Sequence, residues 1–233
     1  GWRFVRAVVL RNLRNLGITG NLNRLMQVAH GEFVTLLASD DELTVKAIDC
    51  QAQYLLMHTS VDFVFANCGT IDSEGRLVQD KVVSDRRAAW LQRSSCVMVD
   101  IVFNWSLPWA RLFARRTQFL RLGPYFIEHV LEDRWCALMI AQTRRFGYLH
   151  RVVHLYRVRP HGLGTAGLDQ RRIFRDIRNV EQSMATNSSG LLRALLVIHT
   201  RAYVRAKRLA PARAMFRMVQ LAIMRAHQIL AGH

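Results

Sequence analysis

The chain has 233 residues, 33 Lys and Arg against 17 Asp and Glu, and a formal net charge of +16. Hydrophobic residues make up 51 % and charged ones 21 %, enough apolar material to bury a core, which excludes a mainly disordered chain. No stretch reaches the roughly 18–20 uncharged apolar residues of a membrane span: residues 94–110 come near, but Asp100, Asn104, Ser106 and Pro108 interrupt them.

In chain order, residues 4–10 are a short apolar run that reads as a strand. Asn21 is a candidate cap for a helix to about Ala29, with Leu22, Leu25, Met26 and Ala29 at helical spacing and Gly31 as its stop. Residues 33–37 form a continuous apolar run, the pattern of a buried parallel strand. A helix over about 44–58 follows, with Val45, Ile48, Ala52, Leu55 and Leu56 on one face. Residues 61–67 read as the next strand, 72–75 as a turn and 76–78 as extended. Residues 81–123 read as mostly helical, 132–143 as a helix and 148–158 as a strand. Residues 161–167 form a glycine-bearing loop. Two or three helices follow from Asp169, one capped near residues 187–189 and running to about Leu209, another beginning at Pro211. Strand and helix alternate, which is the α/β pattern.

Two acidic clusters interrupt this pattern. Ser39-Asp40-Asp41 sits at the carboxyl end of an expected strand, the edge where ligands bind in open α/β sheets. Adjacent carboxylates repel unless a cation or donors offset them. A hard divalent metal would do so, and so would a capping role for either Asp at the next helix; spacing alone leaves both open. Glu132-Asp133 opens a helix, where acidic residues favour the helix dipole or serve as a general base.

The joint order of motifs goes further. Asn15-x-Gly17, Asn21-x-Asn23, Ala29-His30-Gly31-Glu32-Phe33 and Leu36-Leu37-Ala38-Ser39-Asp40-Asp41 are followed by Val64-Phe65-Ala66-Asn67 and Ile71-Asp72-x-x-Gly75. Then come Arg116, Leu122-Gly123-Pro124-Tyr125, Glu132-Asp133, Gly147-Tyr148-Leu149 and Tyr156-Arg157-Val158-Arg159. This succession, over about residues 12–167, resembles the family 2 glycosyltransferases. The resemblance implies a GT-A-like α/β sheet with helices on both faces over residues 1–168, and a basic helical extension over 169–233. It implies that Asp40, supported by Asp41, holds Mg²⁺ or Mn²⁺ on the diphosphate of a nucleotide-sugar donor. Asp133 would take the acceptor's proton with Glu132 beside it, and Arg157 or Arg159 would contact phosphate. The expected activity is inverting sugar transfer to a polysaccharide or lipid-linked acceptor. The alternative is an inactive remnant of the fold or a basic membrane-peripheral binding protein.

The sequence departs from the family pattern in places. Ala38 replaces the first acid of a D-x-D motif, and Arg159 stands where many relatives carry His. The motif order also begins near the family's third strand and the chain begins with Gly1, so the sequence reading expects an incomplete sheet that lacks the nucleotide-binding strands and binds donor weakly. Cys50, Cys68, Cys96 and Cys136 form no C-x-x-C pair and read as reduced, mostly buried thiols of a cytosolic protein.

The remaining features carry bland expectations. His150 and His154 share one face of a strand and read as surface or core histidines; Trp105, Trp109, Trp135 and Phe113 read as core or acceptor-cleft walls. The charge is uneven: residues 134–233 hold 18 Lys and Arg against 3 Asp and Glu. Arg193, Arg201, Arg205, Arg208, Arg213, Arg217 and Arg225 lie on expected amphipathic helices, which suit either the anionic inner face of a membrane or an ordinary solvated surface. No nucleic-acid partner is expected, because no recognition motif accompanies the charge.

Overall fold

The computed structural model describes residues 7–104, 112–123, 132–158 and 170–208. A mixed sheet is built from β1 (Phe33–Thr35), β2 (Glu42–Leu43), β3 (Phe63–Ile71), β4 (Leu77–Gln79), β5 (Leu112–Arg115) and β6 (Phe146–Arg157), with strand order β1-β5-β3-β6-β2 and β4 paired to β3. The helices are α1 (Gly17–Val28), α2 (Ala47–Met57), α3 (Asp85–Trp90), α4 (Ser94–Phe103), α5 (Arg116–Arg121), α6 (Glu132–Thr143), α7 (Gln170–Thr186) and α8 (Gly190–Arg208).

The two faces of the sheet follow from the period of two along each strand. On one face Phe63, Phe65, Leu112, Ala114, Phe146 and Tyr148 join the main core with α4, α6, α7 and α8. On the other, Val64, Ala66 and Phe113 meet Leu55 and Ala47 of α2. β3 is buried almost throughout, which its continuous run Phe63-Val64-Phe65-Ala66 requires. Val180, Met184, Leu192, Leu195 and Leu196 belong to the same core as α4 and α6, so the described C-terminal helices α7 and α8 pack directly on the sheet's helical layer.

Several elements differ from expectation. Residues 7–10 carry no strand, and Val9 is 86 % exposed. α1 begins at Gly17 rather than after Asn21, because the Asn15 carboxamide accepts from the Gly17 N–H at 2.8 Å while Asn21 donates back to the Gly17 carbonyl. β1 is half-buried and pairs antiparallel with β5, not parallel in a sheet interior. Val45 and Leu56 are exposed while Ala47 and Leu55 are buried, so α2 turns a narrower apolar face to the sheet. The stretch read as helical contains β5, held by antiparallel pairing on both sides. Expectations for residues 105–111, 159–169 and 209–233, including Trp105, Trp109, Arg159 and the last helix, fall outside the described residues. None of the four cysteines is in a disulfide; Cys68, Cys96 and Cys136 are buried and Cys50 is partly buried. No helix among the described residues is long and apolar enough to cross a membrane.

Candidate active site

Strand direction decides where the chemistry gathers. β1 is antiparallel to β5, and β5 is antiparallel to β3, so β1, β3 and β6 all point the same way. Their carboxyl ends lead into residues 36–41, the 72–75 turn and Arg157. A ligand edge of an α/β sheet is built in this manner.

Arg157 binds these three segments together. Its Nε donates to the Asp40 carbonyl at 2.7 Å, Nη1 to the Asp72 carbonyl at 2.8 Å and Nη2 to the Glu42 carboxylate at 2.6 Å. Its own amide donates to Asp41 Oδ1 at 2.8 Å. The planar fork of a guanidinium suits this role, since it can reach several oxygens at once. Nε, Nη1 and Nη2 thus each serve a protein oxygen. The 72–75 turn presents its carbonyl correctly because Asp72 Oδ1 accepts from the amides of Glu74 and Arg76 at 2.9 Å, and Gly75 adopts a left-handed φ of +82°.

Asp41 is the buried half of the pair of acids. Its side chain is 3 % exposed, and Oδ2 lies 3.0 Å from His154 Nε2. Burial alone would raise its pKa. The hydrogen bonds from His154 and the Arg157 amide, with the charges of both residues, bring it instead below the ordinary aspartate value. Asp40, at the mouth of the same loop, is half-buried.

His154 was expected only as a bland core or surface residue sharing a face with His150. The register shows why that spacing misleads. Leu149 pairs with Ala66, Val152 with Asn67 and His154 with Cys68, so β6 bulges twice against β3. The bulges break the alternation. His150 faces Asp85 at 3.1 Å on the exterior, whereas His154 turns inward to Asp41.

Glu132 and Asp133 form the second acidic group. α6 joins β6 through only Arg144 and Arg145, with Arg144 at a left-handed φ of 54°. α6 is a 12-residue helix, about 18 Å long, that packs against β6 and opens on the two acids. Asp133 Oδ1 accepts from the Arg134 amide at 2.7 Å. Burial, reinforced by the charge of Asp133 and opposed by a backbone hydrogen bond, pushes Glu132 up to about 7. One carboxyl group of the pair thus titrates near pH 7, well above the ordinary glutamate range, beside its neighbour, a common way to separate two acids. Between pH 4.5 and 7 the unfolded chain ionises Glu132 while the folded chain holds the proton, so this group lowers stability as pH rises through that window. Glu132→Gln is expected to remove that slope. Urea midpoints at pH 5 and pH 7.5 should fall less with rising pH in the variant than in wild type, and equal slopes would refute the assignment.

Arg116, expected as part of the acceptor side, fastens the entry to β1: its amide donates to the Glu32 carbonyl and its Nε to the Gly31 carbonyl at 2.8 Å. Trp135 and Phe113 are core residues, 6 % and 3 % exposed.

This mixed sheet, with its acidic loops at one carboxyl edge, has solved counterparts. The S. aureus protein TarS, residues 1–349 in complex with UDP-GlcNAc, superposes with a TM-score of 0.57 at 14 % identity over 80 % of this chain and 52 % of that one. The mannosyltransferase PcManGT from Pyrobaculum calidifontis, in complex with GDP-Man and Mn²⁺, gives 0.54 at 16 % identity over 97 % of this chain and 63 % of that one. The chain has a glycosyltransferase fold. An uncharacterized glycosyltransferase of Methanocaldococcus jannaschii is 27 % identical over 75 residues, 32 % of this chain and 26 % of that protein. No protein-family model matches the chain. The chain thus spans about half of TarS 1–349, under two-thirds of the mannosyltransferase and about a quarter of the archaeal glycosyltransferase.

Proposed function

We propose that this protein is an inverting family 2 glycosyltransferase that moves a sugar from a nucleotide-sugar donor to a glycan or lipid-linked acceptor hydroxyl. The observation that carries the reading is the meeting of Asp40, Asp41 and Arg157 at the carboxyl edge; Glu132 and Asp133 open α6. The donors of the two structural neighbours, UDP-GlcNAc and GDP-Man, support the donor class.

Among the described residues no group of three or more His, Cys, Asp or Glu is arranged to hold a metal. Asp41 is committed to His154 and Arg157. The described residues therefore build no closed cage, but one carboxylate, Asp40, would fit a Mg²⁺ or Mn²⁺ held with the donor's diphosphate. When bound, that ion neutralises the leaving nucleoside diphosphate. Asp41 and Arg157 fix the loop that presents Asp40. Asp133 accepts the proton of the acceptor hydroxyl as its oxygen bonds to the anomeric carbon and the bond to the diphosphate breaks. The reacting groups lie within residues 1–168, and the basic segment from 169 also offers cations to a cytoplasmic anionic membrane face.

The direct test is nucleoside diphosphate release from UDP-GlcNAc or GDP-Man by the full encoded chain with Mn²⁺. Release is expected to stop with a chelator and to fall at least about tenfold in Asp40→Asn. Turnover indifferent to the chelator would remove the metal from the reading; no turnover of any nucleotide sugar would remove the activity.

A further inference from the structure

Behind the first turn of α6 lies a buried ionic network. Arg134 is 1 % exposed and Glu181 is 0 % exposed. The Arg134 guanidinium donates to the carbonyls of Ile101 and Val102, the latter at 2.8 Å, and to Glu181 Oε1. On its other oxygen Glu181 meets His199 Nδ1 at 2.7 Å and the Thr200 hydroxyl at 3.3 Å. Four helices meet there: α4, α6, α7 and α8.

The placement of Arg134 is unfavourable taken by itself. It is the third residue of α6, and a cation near a helix N-terminus opposes the helix dipole. Burying a guanidinium is costly unless it is paired and hydrogen-bonded. The structure compensates from outside α6. Ile101 and Val102 lie in the last turn of α4, whose carbonyls carry the negative end of that helix's dipole, and Glu181 supplies a full charge. The Arg134 amide, in turn, donates to Asp133 Oδ1. One residue thus touches the buried carboxylate of α7 with its side chain and the acidic site with its backbone.

We propose that Glu181, supported by His199, is a positioning residue that acts through Arg134 to fix the first turn of α6 and hence the carboxylate of Asp133. Helices α7 and α8 are then a working part of the transfer site. This inference rests on the reading of Asp133 as the base.

The test is Glu181→Gln in the full encoded chain, which keeps the side chain's shape and an acceptor for Arg134 but removes the charge. Two readouts are taken. Hydrogen exchange should accelerate in peptides covering residues 132–138 while β3 keeps its protection, and kcat should fall at least about tenfold with donor KM within about twofold, the pattern of an interaction realised in the transition state. Unchanged exchange at 132–138, or uniform acceleration through β3 and β6, would overturn the proposal in favour of no role or a merely structural one. If Glu181→Gln does not fold, His199→Gln, which leaves the Arg134–Glu181 pair intact, is read in the same way with smaller effects of the same pattern. Asp133→Asn serves as the control: turnover retained in that variant overturns the role of Asp133, whereas the exchange pattern separately upholds or overturns the ordering of α6 by Glu181.

Discussion

Asp133→Asn should reduce sugar transfer by about 10²–10⁴-fold, the usual contribution of a positioned general base, with donor KM little changed. Asn is nearly isosteric, and its carbonyl oxygen can still accept from the Arg134 amide as Asp133 Oδ1 does at 2.7 Å, so α6 should keep its first turn. What the variant loses is the capacity to take a proton. The neighbouring acid is a poor substitute below neutral pH, because burial and the charge of Asp133 push Glu132 up to about 7 and leave it mostly protonated there. Removing the Asp133 charge should itself lower the Glu132 pKa, so residual activity in Asp133→Asn should rise with pH as Glu132 ionises. Rates measured from pH 6 to pH 9 at saturating donor test both points. Transfer within tenfold of wild type at pH 7 would dismiss Asp133 as the base.

The acidic edge was legible in the sequence because apolar runs break off abruptly into charge. The run 33–37 ends at Ser39-Asp40-Asp41, and the long apolar strand β3 ends at the Asp72 turn; both breaks mark carboxyl ends of strands. The role of Arg157 was not legible. Sequence can mark an arginine at that edge, but which protein oxygens its donors meet depends on where the Asp40 and Asp72 carbonyls fall in space. β5 was hidden for a related reason. Leu112–Arg115 is four residues long with no alternation of its own, and it is a strand because Val64 and Val34 flank it in register; strand identity there is a tertiary property. The inward turn of His154 depends on two bulges that no local signal announces. Glu181 did leave a trace. It is one of only 3 acidic residues among the last hundred, and it shares a helix face with the buried Ile177, Val180 and Met184. A lone acid on an apolar face within a basic segment calls for a buried cation.

The same network should dominate stability, and here its two contributions separate. Glu181→Leu leaves the Arg134 charge buried with only carbonyl partners and strips His199 of its acceptor, so a loss of about 3–5 kcal/mol is expected, as for other buried pairs broken on one side. Against a typical total of about 5–15 kcal/mol, that is a large fraction, and for a chain of this size it corresponds to a fall in Tm of about 10 °C. Arg134→Met should cost a similar amount by leaving Glu181 uncompensated except for His199 and Thr200. The double variant should cost far less than the two together, because no buried charge is then left alone. Acidification provides an independent check. Burial tends to raise the Glu181 pKa, but the bond from His199 and the charge of Arg134 overcome it and hold the group below its ordinary value. Its contribution is therefore present above about pH 4.5 and is lost as pH falls through the lowered folded-state value. The double variant should show a shallower acid limb in urea midpoints than wild type. Strictly additive single losses would mean that Arg134 and Glu181 are not coupled, and Glu181 could then neither stabilise α6 nor position Asp133 through it.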